Sequence, residues 1–184
     1  MNGLSIEPAG TNGLVEALGA CGLDADRKVW SDPSIDWSLA DALVLRTTWD
    51  YFDRWEEFQR WLQAAQKVTT LINPAACLHW NLDKHYILDL EKAGIPVVPS
   101  VIHRKQSEFP WEKACQTLPW DDLVIKPTVS GAAKDTYRAT LSQGEWHLAP
   151  AHSDTVEDLW ASLLDRQDMM VQPFLPSVVA AVSY

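Results

Sequence analysis

The chain has 184 residues, 47% of them apolar, enough for one domain or two small ones with a real core. Its net charge is −10, from 25 acidic and 15 basic residues, which excludes a nucleic-acid-coating role because that needs a basic face. Cys21, Cys77 and Cys115 are odd in number and far apart, no apolar run is long enough to cross a bilayer, and no secretory leader opens the chain; the expectation is a cytoplasmic protein with buried thiols and neither a membrane nor a nucleic-acid partner.

Residues 1–10 carry Gly3, Pro8 and Gly10 and no β-branched run. Thr11 is placed to cap a helix with Leu14, Val15, Leu18 and Cys21 on one face, ended by Gly22. A short strand is expected at Arg27–Ser31, a turn at Asp32-Pro33, and a buried strand at Ala42–Arg46. Asp53 and Glu56 have capping-box spacing for a helix to about Val68. Thr69–Ile72 is the next strand, and Asn73-Pro74 starts a short helix with Asn as cap. Helix, strand, helix, strand in this order implies a parallel sheet. A helix opens at Asn81–Tyr86, with Leu82, Tyr86 and Leu90 in one stripe and Lys84 in its first turn on another face; Gly94 ends it. Ile95–Pro99 enters a strand, and Ser107–Thr117 forms a helix. Strands follow at Leu123–Pro127, Tyr137–Leu141 and Trp146–Leu148. Asp154 and Glu157 cap a helix through Asp165, and Met169–Phe174 is the last strand.

Two stretches carry chemistry. In Leu123-Val124-Ile125-Lys126-Pro127 an apolar strand delivers a lysine into an otherwise buried row, which is costly unless an anion meets it. The small-residue turn after it, Thr128 to Thr136, offers backbone N–H groups, the Ser130 hydroxyl and Lys134, a composition suited to phosphate. The competing reading is a hairpin whose lysine snorkels to solvent. No Walker loop and no GxGxxG is present. The second stretch, Arg46-Thr47-Thr48-Trp49-Asp50-Tyr51, lies past the end of a strand, where open α/β sheets bind ligands. Arg46 can fork onto a carboxylate or phosphate, and Asp50 can hold an amine or order the arginine. The alternative there is a strand-end salt bridge over packed aromatics.

Ten tryptophans suit either a stacking platform or a core. Spacing favours the core, because Trp55, Phe58, Trp61 and Leu62 share a helical face, as do Leu159, Trp160, Leu163 and Leu164. The five histidines show no metal-ligand clustering. No Ser/His/Asp or Cys/His arrangement is present, and no catalytic residue is assigned.

Seven segments in register resemble the ATP-grasp superfamily of carboxylate–amine ligases, in its glutathione-synthetase-like and D-cycloserine-ligase-like branch. They are residues 44–51 (VLRTTWDY), 72–75 (INPA), 79–86 (HWNLDKHY), 94–99 (GIPVVP), 123–127 (LVIKP), 130–136 (SGAAKDT) and 171–175 (VQPFL). The resemblance implies an α/β chain: a Rossmann-like, substrate-side domain with a parallel sheet over residues 1–75, then the N-terminal α+β part of an ATP-grasp domain over 76–184. It implies that Lys84 and Lys126 bind ATP, that the loop with Ser130, Gly131 and Lys134 folds over the phosphates, and that the hinge at Gln172, Pro173 and Phe174 meets adenine. Arg46, Trp49 and Asp50 face a small carboxylate substrate. ATP and Mg2+ are the implied cofactors, and the implied reaction is ligation of a carboxylate to an amine, thiol or other nucleophile through an acylphosphate. Only ten residues follow Phe174, none of them Asp, Glu, Asn or Arg. The expectation is therefore a truncated member, without metal ligands of its own, inactive alone, and completed by a second copy or a complementing chain. The alternative is a non-catalytic interaction module.

Overall fold

The computed structural model describes residues 12–116, 118–150 and 152–177; the expectations for residues 1–10 and for the Thr11 cap fall outside them. Along the chain run α1 (Asn12–Ala20), β1 (Ala42–Val44), α2 (Trp55–Ala65), β2 (Thr70–Ile72), α3 (Ala75–Asn81), α4 (Tyr86–Lys92), β3 (Val101–His103), α5 (Trp111–Gln116), β4 (Asp122–Pro127), β5 (Tyr137–Ser142), β6 (Glu145–Ala149), α6 (Val156–Arg166) and β7 (Met169–Pro173). Strands β1 and β2 form a two-stranded parallel sheet. The other five form an antiparallel sheet in the order β3-β7-β4-β5-β6. This is the mixed α/β class that the element pattern implies. No helix among the described residues is long and apolar enough to cross a membrane.

The chain divides into two compact units. The first holds the described residues up to Leu43 together with Glu56–Thr70. Its core is aromatic. Phe58 and Leu62 of α2 are fully buried, Trp30 meets Phe58 edge-on with ring centroids 5.2 Å apart, and Trp61 packs between Trp30 and Trp37. Spacing on α2 therefore identifies the buried Phe58 and Leu62, while Trp55 and Trp61 on the same face are part-buried.

The second unit holds Val44–Trp55 and the described residues from Leu71 onward. Strand β4 runs through the middle of its sheet and alternates strictly. Leu123 and Ile125 are fully buried beneath Trp160, Leu163 and Leu164 of α6 and Trp111 and Ala114 of α5, while Val124 and Lys126 point to the opposite face. Register puts Lys126 opposite Met170, and Val124 opposite Gln172 on one side and Arg138 on the other. The sheet thus has one apolar face covered by helices and one face that presents Lys126.

Several local expectations are corrected. Arg27–Ser31 is irregular rather than a strand; the Asp26 carboxylate binds the Arg27 N–H, and the chain turns where the Asp32 N–H meets the Val29 carbonyl. Helix α2 begins at Trp55, because residues 50–54 fold into a turn on the Asp50 carbonyl, and Asp53 does not cap it. Asn73 adopts φ 57° and makes no cap; Pro74 precedes α3 without a side-chain cap bond. Ile95–Pro99 is irregular, and α5 is shorter than expected because the Ser107–Pro110 segment turns on itself. Thr155, not Asp154, caps α6 by accepting from the Asp158 N–H. Cys21 and Cys77 are exposed rather than buried. Cys115 is part-buried, and burial together with Glu157 and Glu112 pushes its thiol up to about 12.

Trp160 is the pivot of the second core. It is 1% exposed, meets the rings of His103 and Trp111, and its Nε1–H donates to the Phe109 carbonyl at 2.8 Å. Trp160→Ala should destabilise the protein by about 4 kcal/mol in urea unfolding followed by far-ultraviolet dichroism. Trp160→Phe, which keeps a ring but orphans the Phe109 carbonyl, should cost about 1–2 kcal/mol. Equal midpoints for both variants and the wild type would contradict this account of the core.

Candidate functional site

Lys126 leaves the sheet on the face opposite α5 and α6, half-buried, and burial holds its ammonium below the usual lysine range. Among the described residues it has neither a hydrogen bond nor an ion pair. Lys84 comes close enough to act on it electrostatically. The structure corrects the setting of Lys84: it sits in the turn between α3 and α4, just before the N-terminus of α4, and not inside a helix. Burial and the neighbouring Lys126 push its ammonium down to about 8, partly offset by Asp83. Two desolvated lysines, one acting on the other electrostatically, make this a candidate site for negative charge.

Lys84 also holds the loop that follows β4. Its Nζ donates to the Thr128 carbonyl at 3.1 Å, the Ser130 carbonyl at 3.1 Å and the Ser130 Oγ at 3.0 Å. Its backbone N–H donates to the Thr128 carbonyl at 2.9 Å, and the Thr128 N–H donates to the Asp168 carbonyl at 3.0 Å. Thr128 is 2% exposed, pinned between the α3–α4 turn and the start of β7. Asp168 is itself anchored: its carboxylate takes the Lys105 N–H at 2.7 Å and Arg104 at 2.9 Å. In the sequence Thr128 marks only the start of the small-residue turn and Asp168 is not singled out, since the roles of both depend on partners distant along the chain.

Beyond Ser130 the loop takes a conformation that alanine seldom adopts. Ala132, Ala133 and Asp135 have φ of 50°, 57° and 51°. Each left-handed non-glycine residue costs about 1 kcal/mol or more, so the surroundings must hold it there. The Lys134 N–H donates to the Gly131 carbonyl and the Thr136 N–H to the Ala133 carbonyl. Among the described residues the N–H groups of Ala132, Ala133 and Asp135 meet no protein acceptor. Free amides in a tight turn are what an anion-binding nest consists of.

The remaining predicted residues separate into three groups. Gly131 and Lys134 lie against the 50–55 turn: a Cβ at Gly131 would stand 2.6 Å from Cε1 of Phe52, and the Lys134 ammonium pairs with the Asp53 carboxylate. Gln172 is buried and donates to the Ser100 Oγ at 2.7 Å. Phe174 carries the Arg138 guanidinium 3.8 Å above its ring, and its backbone N–H is taken by the Asp122 carbonyl at 2.9 Å. Arg46 and Trp49 are exposed. The Asp50 carboxylate receives Arg54 at 3.1 Å, so the arginine it orders is Arg54.

Comparison with known proteins supplies independent findings. Residues 5–73 match the family described as the N-terminal domain of D-cycloserine synthetase DcsG. The chain is 31% identical over 168 residues to the cycloserine biosynthesis protein DcsG of Streptomyces lavendulae, an alignment covering 90% of this chain and 54% of that protein. The crystal structure of D-cycloserine synthetase DcsG superposes with a TM-score of 0.77 at 29% identity, over 91% of this chain and 55% of the other. A RimK domain ATP-grasp protein from Sphaerobacter thermophilus shares the fold, with a TM-score of 0.50 at 17% identity over 92% of this chain and 61% of the other. The chain spans about half the length of the curated relative it matches.

The lowered Lys84 ammonium has a consequence for stability. Between about 8 and the ordinary 10.5, the unfolded chain keeps a proton that the folded chain has released. Raising the pH through that window therefore favours folding, and the cost of burying the charge is fully present below it. Urea midpoints across pH 7 to 10 should rise for the wild type relative to Lys84→Met, whose profile lacks this contribution. Parallel profiles would remove Lys84 as a desolvated ammonium.

Proposed function

Because this chain is a homologue of D-cycloserine synthetase with part of an ATP-grasp fold, we propose that it binds ATP at Lys84, Lys126 and the 128–136 loop, in service of an ATP-dependent ligation of a small carboxylate substrate. The observation that carries this reading is the pair of half-buried lysines, without an acidic partner for Lys126, beneath a loop with free amides. Lys126 takes a phosphate directly. Lys84 fixes the Thr128–Ser130 backbone and adds its charge from below. The Ala132, Ala133 and Asp135 amides supply further donors, and Lys134, paired with Asp53, adds positive charge beside them. Arg138 stacks on Phe174 beside the β7 exit and is paired through two hydrogen bonds with the Asp122 carboxylate, which fixes the ring next to the hinge backbone.

The acceptor end uses Arg46 and Trp49, exposed in the loop after β1, with Asp50 and Arg54 as a paired support. Binding ATP and a carboxylate side by side makes phosphorylation of that carboxylate the natural first step, with an amine or another nucleophile attacking the acylphosphate. Catalysis of this kind rests on alignment and charge neutralisation rather than on a protein nucleophile. Magnesium enters as the counterion of the phosphates. Among the described residues no group of three or more His, Cys, Asp or Glu side chains is arranged to hold it.

Titration calorimetry of ATP into the wild type and Lys126→Ala tests the site. The mutation should weaken binding at least about tenfold, the loss expected for a charge-assisted contact to phosphate. Affinity should also fall as the pH rises above about 8, with proton uptake on binding, because the ligand favours the charged form of Lys84. A folded wild type that binds no ATP, or a Lys126→Ala variant that binds it equally well, would overturn the proposal.

A further inference from the structure

The 128–136 loop touches a part of the chain that the nucleotide reading leaves unused. Phe52 lies directly beneath Gly131, with its ring edge where a Cβ would be, and Lys134 lies over the same ring at 5.8 Å from its centroid. Asp53 next to it holds the Lys134 ammonium. Phe52 is braced in turn by Tyr51, which it meets edge-on at 5.4 Å, and Tyr51 leans on Trp55 at 6.2 Å. All of these residues belong to the second compact unit. The turn at 50–55 is therefore a shelf under a loop whose left-handed residues cannot hold themselves in place.

We propose that Phe52 and Asp53 are positioning residues for the anion-binding loop. Phe52 sets the height of the backbone at Gly131, and Asp53 tethers the loop at Lys134, so that the free amides of Ala132, Ala133 and Asp135 stand ready before an anion arrives. This inference rests on the nucleotide reading above for its ligand, but the preorganisation itself is a property of the unliganded protein. It also ties the loop to the segment that follows Arg46, Trp49 and Asp50 in the chain. An acceptor substrate that moves this turn would alter phosphate affinity without touching the phosphate.

Two readouts test it on the full chain. In hydrogen exchange, the Lys134 and Thr136 amides, which donate to Gly131 and Ala133, are protected in the wild type and should exchange about tenfold faster in Phe52→Ala, as expected when a local opening loses its main packing contact. Phe52→Tyr, which retains the ring, should restore protection. ATP affinity should follow the same order, falling about tenfold in Phe52→Ala and recovering in Phe52→Tyr. Gly131→Ala should weaken ATP binding in the wild type and be nearly neutral in the Phe52→Ala background, because the obstructing ring is gone. Unchanged exchange in Phe52→Ala, or additive effects of Phe52→Ala and Gly131→Ala, would overturn the proposal. If exchange accelerates while ATP binds equally well, the loop is supported by Phe52 but not positioned for the ligand, and the proposal also falls. A wild type that binds no ATP sinks the nucleotide reading, and the exchange experiment still decides whether the shelf exists.

Discussion

Thr128 is the point on which the site depends. It is buried, donates its N–H to the start of β7, and accepts from both the backbone and the side chain of Lys84. Strand β4 ends there, at the residue where the chain stops being sheet and becomes loop. A backbone group buried at such a place must be satisfied, and the partners available are two elements distant in sequence. The bonds that satisfy it also bring the α3–α4 turn to the loop and so bring Lys84 beside Lys126. Local backbone chemistry and the assembly of the site are the same set of contacts.

Much of this was legible in the chain. The alternation of Leu123, Val124, Ile125 and Lys126 identified both a core strand and the residue that faces away from the core. The helical spacing of Leu159, Trp160, Leu163 and Leu164 identified the helix that covers it. The family resemblance selected Lys84, Ser130 and Gly131, which the structure brings together around one loop. What was not legible has physical causes. The Leu82, Tyr86 and Leu90 stripe extends a helical pattern back over a turn, which hid the true setting of Lys84. Asp53 has the spacing of a cap, and a long-range lysine outcompetes the local amide for its carboxylate. Ala132 and Ala133 have no intrinsic preference for left-handed backbone, so nothing in their identity announces it. Phe52 beneath Gly131 is a contact between residues 79 apart, and no local rule reaches that far.

The tryptophans illustrate how composition misleads when it is separated from spacing. Their number invites a stacking surface for sugars or bases. Trp30 and Trp61 in one unit and Trp111 and Trp160 in the other are instead packed edge-on or tilted against other rings. Trp49, by contrast, is exposed in the loop after β1, beside the polar residues most suited to a ligand.

The half-buried lysine pair has one more effect. With the site empty, its charges repel each other in a partly desolvated setting, and Asp83, the carboxylate acting on Lys84, already receives His85 Nδ1 at 2.6 Å. If the pair is the anion site proposed above, a small anion would relieve this repulsion and bind the folded chain in preference to the unfolded one. By mass action an anion at a hundred times its dissociation constant adds about 2.7 kcal/mol to the folding free energy. On the proposed reading, the melting temperature would be a joint property of the chain and its buffer, and sulfate or phosphate in a storage solution would act as a folding ligand.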